Sequence, residues 1–171
     1  MGLVDVLGYE YRSPTGVHKL VQGFATSAPG AWVSSHTLHH VDRLVSNLTK
    51  GKTTASEVLA GLPVIEVTTT GAKSGQPRTA QLLGIPTREN LAIIGSGFGQ
   101  TPTPGWVYNL RANPEAGVRY RNRDASALAR EAEAAELDEI WATARSIYHG
   151  YAIYPERASH RQIAVFALEP R

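Results

Sequence analysis

Thr70-Gly71-Ala72-Lys73-Ser74-Gly75-Gln76-Pro77-Arg78 joins two stretches that read as β-strands, Leu62–Thr70 and Pro77–Ile85. The first is rich in Val, Ile and Thr, whose branched side chains suit a pleated surface. Gly71, Gly75 and Pro77 punctuate the join as a turn does. A third strand, Leu91–Ser96, follows a second turn at Pro86-Thr87-Arg88-Glu89-Asn90, so three strands on short turns form a meander. Beyond it the spacing predicts a short helix over Gly105–Ala112. Asn113-Pro114 ends that helix, because proline disfavours the helical conformation of the residue before it.

Outward from this centre, Ala116–Arg121 and Ala125–Glu131 read as another hairpin around Asn122-Arg123-Asp124, although the alanines of its second strand would equally suit a helix. Glu133–Tyr148, with Leu137, Ile140, Trp141, Ala144 and Ile147, has helical amphipathic spacing. Gln162–Leu168 alternates into a last strand. Upstream, Trp32, Val33, Leu38, Val41, Leu44, Val45 and Leu48 predict an amphipathic helix over Ala31–Lys50, capped by Gly51. Thr54-Ala55-Ser56-Glu57 reads as a capping box that opens a short helical turn, stopped by Gly61 and Pro63. Residues 1–30, broken by Pro14, Gly16, Gly23, Pro29 and Gly30, read as an arm packing partly on the rest. Residues 31–171 read as one domain, since no repeat or linker divides them. About six strands and two substantial helices on tight turns point to an α+β, mainly β molecule. Its expected form is a closed or half-closed antiparallel barrel with helices outside.

With 171 residues, 42% of them hydrophobic and 19% charged, the chain can bury a core without staples. A formal net charge of +2 makes no demand for nucleic acid. The absence of cysteine excludes a disulfide framework, a thiolate nucleophile and thiolate-bound metal, and fits a cytoplasmic protein. No apolar run approaches a membrane span and no signal-peptide pattern opens the chain, so a soluble intracellular protein is expected. The Ala31–Lys50 helix is amphipathic enough to rest on a membrane surface, which adds peripheral contact as an expectation.

Four groups of residues carry chemistry. Lys73, Ser74, Gln76 and Arg78 sit in a turn whose exposed N–H groups and cations suit a phosphate; the plain alternative is a solvated hairpin turn. Gly95-Ser96-Gly97-Phe98-Gly99 lets backbone approach a flat ligand closely, or is simply a flexible loop. Trp106, Asn109 and Leu110 share one helix face, either as an aromatic wall beside an amide or as core. Tyr148, Tyr151 and Tyr154 recur every third residue; phenols at a cavity mouth can stack on a planar substrate and hydrogen-bond to it, or they are simply surface or partly buried tyrosines of a loop. His36, His39 and His40 lack the Glu and the third ligand of a zinc helix, so no metal site is expected. A serine hydrolase is equally unsupported: Gly95-Ser96-Gly97 falls short of a nucleophile elbow.

The order Val67-Thr68-Thr69-Thr70-Gly71-Ala72-Lys73-Ser74-Gly75-Gln76-Pro77-Arg78-Thr79, then Ser96 in its glycine-rich loop, then Pro104-Gly105-Trp106-Val107-Tyr108-Asn109-Leu110-Arg111-Ala112-Asn113-Pro114, closely resembles the deazaflavin-dependent nitroreductase family. So do the tyrosine triplet and the closing Val165-Phe166-Ala167-Leu168-Glu169-Pro170. The resemblance implies a split β-barrel, flavin-reductase-like, that binds coenzyme F-420, a deazaflavin, and reduces quinones, nitroaromatics or other electron-poor small molecules such as enones. It implies that Lys73, Ser74, Gln76 and Arg78 hold the phosphate-bearing tail of the cofactor. Trp106, Asn109 and the backbone around Ile94 and Ser96 would line the ring. Ser96, Tyr148, Tyr151 and Tyr154 would face the substrate as catalytic groups. Gly97 stands where relatives commonly carry Lys, and Gln81 where many carry Pro. Some of the broader group use flavin mononucleotide (FMN) or act as non-catalytic carriers of deazaflavin, flavin or lipid, which are the alternative readings. A monomer and a homodimer are both compatible with the pattern.

Overall fold

A computed structural model describes residues 1–11 and 62–171. The helix expected at Ala31–Lys50, the capping box at Thr54–Glu57, the three histidines and the domain boundary after residue 30 lie outside the described residues. Among those described, the elements run α1 (Leu3–Leu7), β1 (Val64–Thr70), β2 (Pro77–Leu83), β3 (Ile85–Pro86), β4 (Leu91–Ile94), α2 (Gly105–Ala112), β5 (Glu115–Tyr120), β6 (Arg123–Glu131), α3 (Ala134–Ile147), α4 (Gly150–Arg157) and β7 (Val165–Pro170).

The strands form one antiparallel sheet in the order β2-β1-β5-β6-β7-β4-β3. Its two edges, β2 and β3, are separated in sequence by Gly84 alone. One stretch of chain therefore supplies both edges. Val64 to Thr70 pair with Leu83 to Pro77 on one side of that stretch, and Ile85 and Pro86 pair with Ala92 and Leu91 on the other. The expected meander is present pairwise, but its middle strand bends at Gly84 and its halves serve opposite ends of the sheet. This bend is why seven strands appear where continuous reading counts about six. Gly84 donates its N–H to Pro63 O at 3.2 Å, and its carbonyl accepts the Tyr9 hydroxyl. The sheet is thereby curled into the split β-barrel of the α+β class expected from the sequence.

Alternation assigns the faces. Leu91 and Ile93 of β4 point into the barrel core with Ile65, Val67, Val118 and Phe166. Ala92 and Ile94 point the other way, into a second cluster roofed by Ile140, Ala144 and Ile147 of α3 and by the tyrosines. With both faces covered, β4 reads as an unbroken apolar run rather than an alternating one. α1 packs Leu3 and Leu7 into the barrel core, fixed by Val4 N–H to Glu89 O and Leu3 N–H to Asn90 Oδ1, each 3.1 Å.

The ambiguous stretch at Ala125–Glu131 is strand β6, which pairs with both β5 and β7. α3 opens on a capping box in which the Glu133 and Glu136 side chains each accept the other's backbone N–H. Its first turn is further held by Arg130, whose guanidinium reaches Glu136 at 2.6 and 2.8 Å and Glu169 at 2.8 Å.

Candidate functional site

The β1–β2 turn is built by its own backbone. Gly71 N–H donates to Gln76 O and Gly75 N–H to Gly71 O, both at 2.8 Å, and Gln76 N–H donates to Ser74 Oγ at 3.3 Å. Gly75 is left-handed (φ 64°), a conformation glycine adopts without steric cost. At Gly71 a Cβ would lie 2.5 Å from Ser74 Oγ and 3.1 Å from Gln76 O, so a side chain there would displace the Ser74 hydroxyl and press on the turn's backbone. Lys73, Ser74, Gln76 and Arg78 are all exposed on it. Among the described residues Lys73 and Arg78 have no carboxylate partner, whereas Arg111, Arg119, Arg130 and Arg171 each hold one. The N–H groups of Gly71, Ala72, Gly75 and Gln76 are taken up by the turn and by Asn109, so the donors it offers to a phosphate are the two free cations with the Ser74 hydroxyl.

α2 holds this turn from behind. The Asn109 amide oxygen accepts from Ala72 N–H and its NH2 donates to Thr69 Oγ1, each at 2.9 Å; the Thr69 hydroxyl in turn donates to Arg78 O at 3.2 Å. Asn109 is only 9% exposed and its amide is occupied with the turn rather than turned to a ring. Trp106 is packed in the barrel core, edge-on to Phe166 at 5.9 Å, with Leu110 beside it. The shared helix face read from spacing is therefore a core face with one polar staple. That role was hidden in the sequence because the partners of Asn109 lie 37 and 40 residues away.

At the other end of α2 lies the glycine-rich loop. Ile94 ends β4, buried in the second cluster. Gly95 donates to Ala164 O at 2.8 Å, and Ser96 is buried. Gly97, Phe98 and Gly99 then take φ values of 56, 57 and 76°. Two glycines reach this region freely, but for Phe98 it costs about 1–2 kcal/mol. The Phe98 ring meets Tyr154 edge-on at 6.2 Å. A Cβ on Gly97 would stand 3.4 Å from Pro104, the residue before α2, so α2 spans from the loop to the β1–β2 turn. From Pro104 to Asn109 that distance is about 8 Å along the helix axis.

Arg161 holds the loop from outside. Its guanidinium donates to Gly95 O at 3.0 Å, Ser96 O at 2.8 Å and Gln100 O at 3.3 Å. No local pattern marks it, since it lies in the irregular segment between α4 and β7 and more than 60 residues from its partners.

The tyrosines form one cluster. Tyr148 links α3 to α4 in extended conformation, and Tyr151 and Tyr154 lie on the buried side of α4. α4 forms despite Gly150 and Pro155, which weaken its helix propensity; the three-residue spacing of the tyrosines is its helical signal. Ring centroids lie 5.9, 6.0 and 6.3 Å apart, and the Tyr148 and Tyr154 hydroxyls share a hydrogen bond of 2.9 Å. Gly150 makes this packing feasible, since a Cβ there would be 2.4 Å from the Tyr148 ring. Burial raises the pKa of all three phenols; the contact with Tyr154 and the charge of Arg157 offset part of this for Tyr148. They are neutral hydrogen-bond donors across the ordinary pH range. Phe98 and Gly99 of the serine loop thus meet Tyr154 at one end of α2, and Lys73, Ser74, Gln76 and Arg78 lie together at the other. Two shallow hollows of about 310 and 270 Å³ lie elsewhere, on the outer face of β1, β5 and β6 around Thr68, Gly117 and Ser126, and neither borders Ser96 or a tyrosine.

A curled antiparallel sheet forming a split barrel with helices packed outside it is the fold of a flavin-reductase-like protein. The chain belongs to the F420H(2)-dependent quinone reductase family, whose model matches residues 41–170. An F420H(2)-dependent quinone reductase of Mycobacterium tuberculosis is 39% identical over 56 residues, which is 33% of this chain and 38% of that protein. The match thus spans well under half the length of that curated relative. A solved F420-H2 dependent reductase superposes with a TM-score of 0.57 at 34% identity, covering 63% of this chain and 94% of that one. A second solved structure, a domain-swapped dimer, superposes with a TM-score of 0.60 at 29% identity and covers 83% of this chain and all of that one. The deazaflavin-dependent reductase family expected from the motif order is the family found. No helix among the described residues is long and apolar enough to cross a membrane.

Proposed function

We propose that this chain is an oxidoreductase that moves a hydride from reduced coenzyme F-420 to a quinone-like, nitroaromatic or other electron-poor acceptor. The observation that carries the reading is the pair of unpartnered cations, Lys73 and Arg78, on a glycine-shaped turn within a chain matched to this family from residue 41 to residue 170. The residues of the turn fit the anionic tail of such a cofactor. Lys73 and Arg78 supply charge, and Ser74 and Gln76 supply neutral hydrogen bonds. Asn109 keeps the turn in one conformation and so lowers the ordering cost of binding.

The bound deazaflavin supplies the hydride. The protein's own contribution is orientation, dryness and stabilisation of the charge that appears on the acceptor. Ser96 and the phenols of Tyr148, Tyr151 and Tyr154 are the groups we read as hydrogen-bonding that charge. Because burial raises the phenol pKa values, we read the tyrosines as hydrogen-bond donors to a developing oxyanion rather than as strong acids. Trp106 enters as the core support of α2 rather than as a ring contact.

Titration of the purified protein with reduced coenzyme F-420 and, separately, with FMN tests the cofactor. F-420 is expected to bind at micromolar concentration or below, and Arg78→Ala to weaken it about 10- to 100-fold through loss of one charge-assisted contact. Binding of FMN with no binding of F-420 would reassign the cofactor. Binding of F-420 with no oxidation over menadione, nitroaromatics and enones would make the protein a carrier instead. Adding anionic liposomes to the same assay shows whether acceptors are taken from a membrane surface.

A further inference from the structure

We infer that Arg161 is the positioning residue for the acceptor side of the site: it clamps the Gly95–Gln100 loop in its left-handed form, and thereby fixes Ser96 in the loop whose Phe98 packs against Tyr154. This rests on the reading above that Ser96 faces the acceptor.

The guanidinium makes four hydrogen bonds to three backbone carbonyls, those of Gly95, Ser96 and Gln100. These carbonyls bracket the three consecutive left-handed residues Gly97, Phe98 and Gly99. The loop's own bonds across the bracket are two, Gly99 N–H to Ser96 O at 2.9 Å and Gln100 N–H to Gly97 O at 3.0 Å. A bulky residue in the left-handed region stays there only where the surroundings over-determine it. Among the described residues Arg161 makes more of these bonds than the loop makes with itself. A rigid planar fork is what such a task needs, because one group must reach carbonyls on both sides of the bend at once.

The clamp also brings a charge. No carboxylate among the described residues pairs with Arg161, whereas Arg111, Arg119, Arg130 and Arg171 all have one. Its Nη2 would stand 3.5 Å from a Cβ on Gly97, so the cation lies directly under the loop that carries Ser96. Loss of hydration holds its pKa below the usual guanidinium value, which agrees with a partly buried cation, and the charge is retained throughout the working range. Arg161 is therefore both the mould of the loop and the source of positive potential behind it.

Amide exchange in the free protein tests the clamp without any cofactor. Arg161→Gln removes fork and charge; Arg161→Lys keeps the charge but not the fork, and is also the variant read if Arg161→Gln does not fold. In both, exchange at Gly99 and Gln100 is expected to quicken at least tenfold while the amides of α3 are unchanged. With reduced F-420 and menadione, kcat should fall at least tenfold in both, while the F-420 dissociation constant stays within threefold of wild type because the tail is held at the Lys73–Arg78 turn. Exchange at the wild-type rate, wild-type kcat, or full recovery by Arg161→Lys would each overturn the assignment. If the wild-type protein itself turns over no acceptor, the functional reading fails, and the exchange rates alone decide whether Arg161 is the clamp.

Discussion

Asn109 uses a single amide to tie α2 to the turn that carries Lys73 and Arg78. Replacing it with Ala strands the Ala72 N–H and deprives Thr69 of a donor in a part-buried setting. Asn109→Ala is expected to lower the unfolding free energy by about 1–3 kcal/mol in a denaturant titration. F-420 affinity should fall several-fold at the same time, because a loosened turn must be ordered on binding. A variant with unchanged affinity would show that the turn is stiff without its staple. The residue types at Lys73, Ser74, Gln76 and Arg78 are legible in the sequence because turn chemistry is local. The duties of Asn109 and Arg161 are not, because each is defined by partners that only the fold brings near. Gln81, where the family resemblance is weaker, has a structural account: its side-chain amide donates to Glu66 Oε2 across the β1–β2 pair at 3.0 Å.

At the scale of elements, α2 and α3 are readable almost to the residue, since Asn113-Pro114 stops one and apolar spacing defines the other. α4 is not, because its Gly and Pro are tolerated by tertiary contacts that propensity ignores: the rings of Tyr148 and Tyr154 fill the space over Gly150. α3 also carries the clearest pH dependence. The Arg130 guanidinium first, and then the Glu133 backbone N–H, lower the Glu136 pKa from 4.5 to about 2. A carboxylate depressed on folding stabilises the native state above its unfolded pKa and loses that contribution as pH falls through the folded one. Stability should thus decline between about pH 5 and pH 2, and Glu136→Gln should flatten that part of the profile in thermal melts. The Glu136 side chain is 36% exposed and its partner 40%, so screening keeps the effect to about 1 kcal/mol or less.

For the molecule as a whole, the opening residues are part of the barrel. Leu3 and Leu7 are at most 1% exposed, and Tyr9 lies against Tyr120 with ring centroids 4.9 Å apart. Leu7→Ala is expected to cost about 2–4 kcal/mol of stability by calorimetry, as for a core leucine, although it lies only seven residues into the chain. A loss below about 1 kcal/mol would instead mean that this end of the barrel is held by the remaining contacts. The antiparallel barrel class is legible from the count of strands and the shortness of the turns. Its closure is not, because nothing local in Pro77–Pro86 announces that one strand serves two edges.

That closure bears on how the protein can change. Along Pro77–Pro86 the number of residues is as constrained as their kind. Adding or removing one residue on either side of Gly84 would turn side chains between the two faces of the sheet and shift the pairing at one edge against the other. The same slip would displace either Arg78 at the phosphate-suited turn or β4, which leads directly to Ser96. Variation in this stretch is therefore confined to substitution, and length changes belong to turns that bear on only one edge.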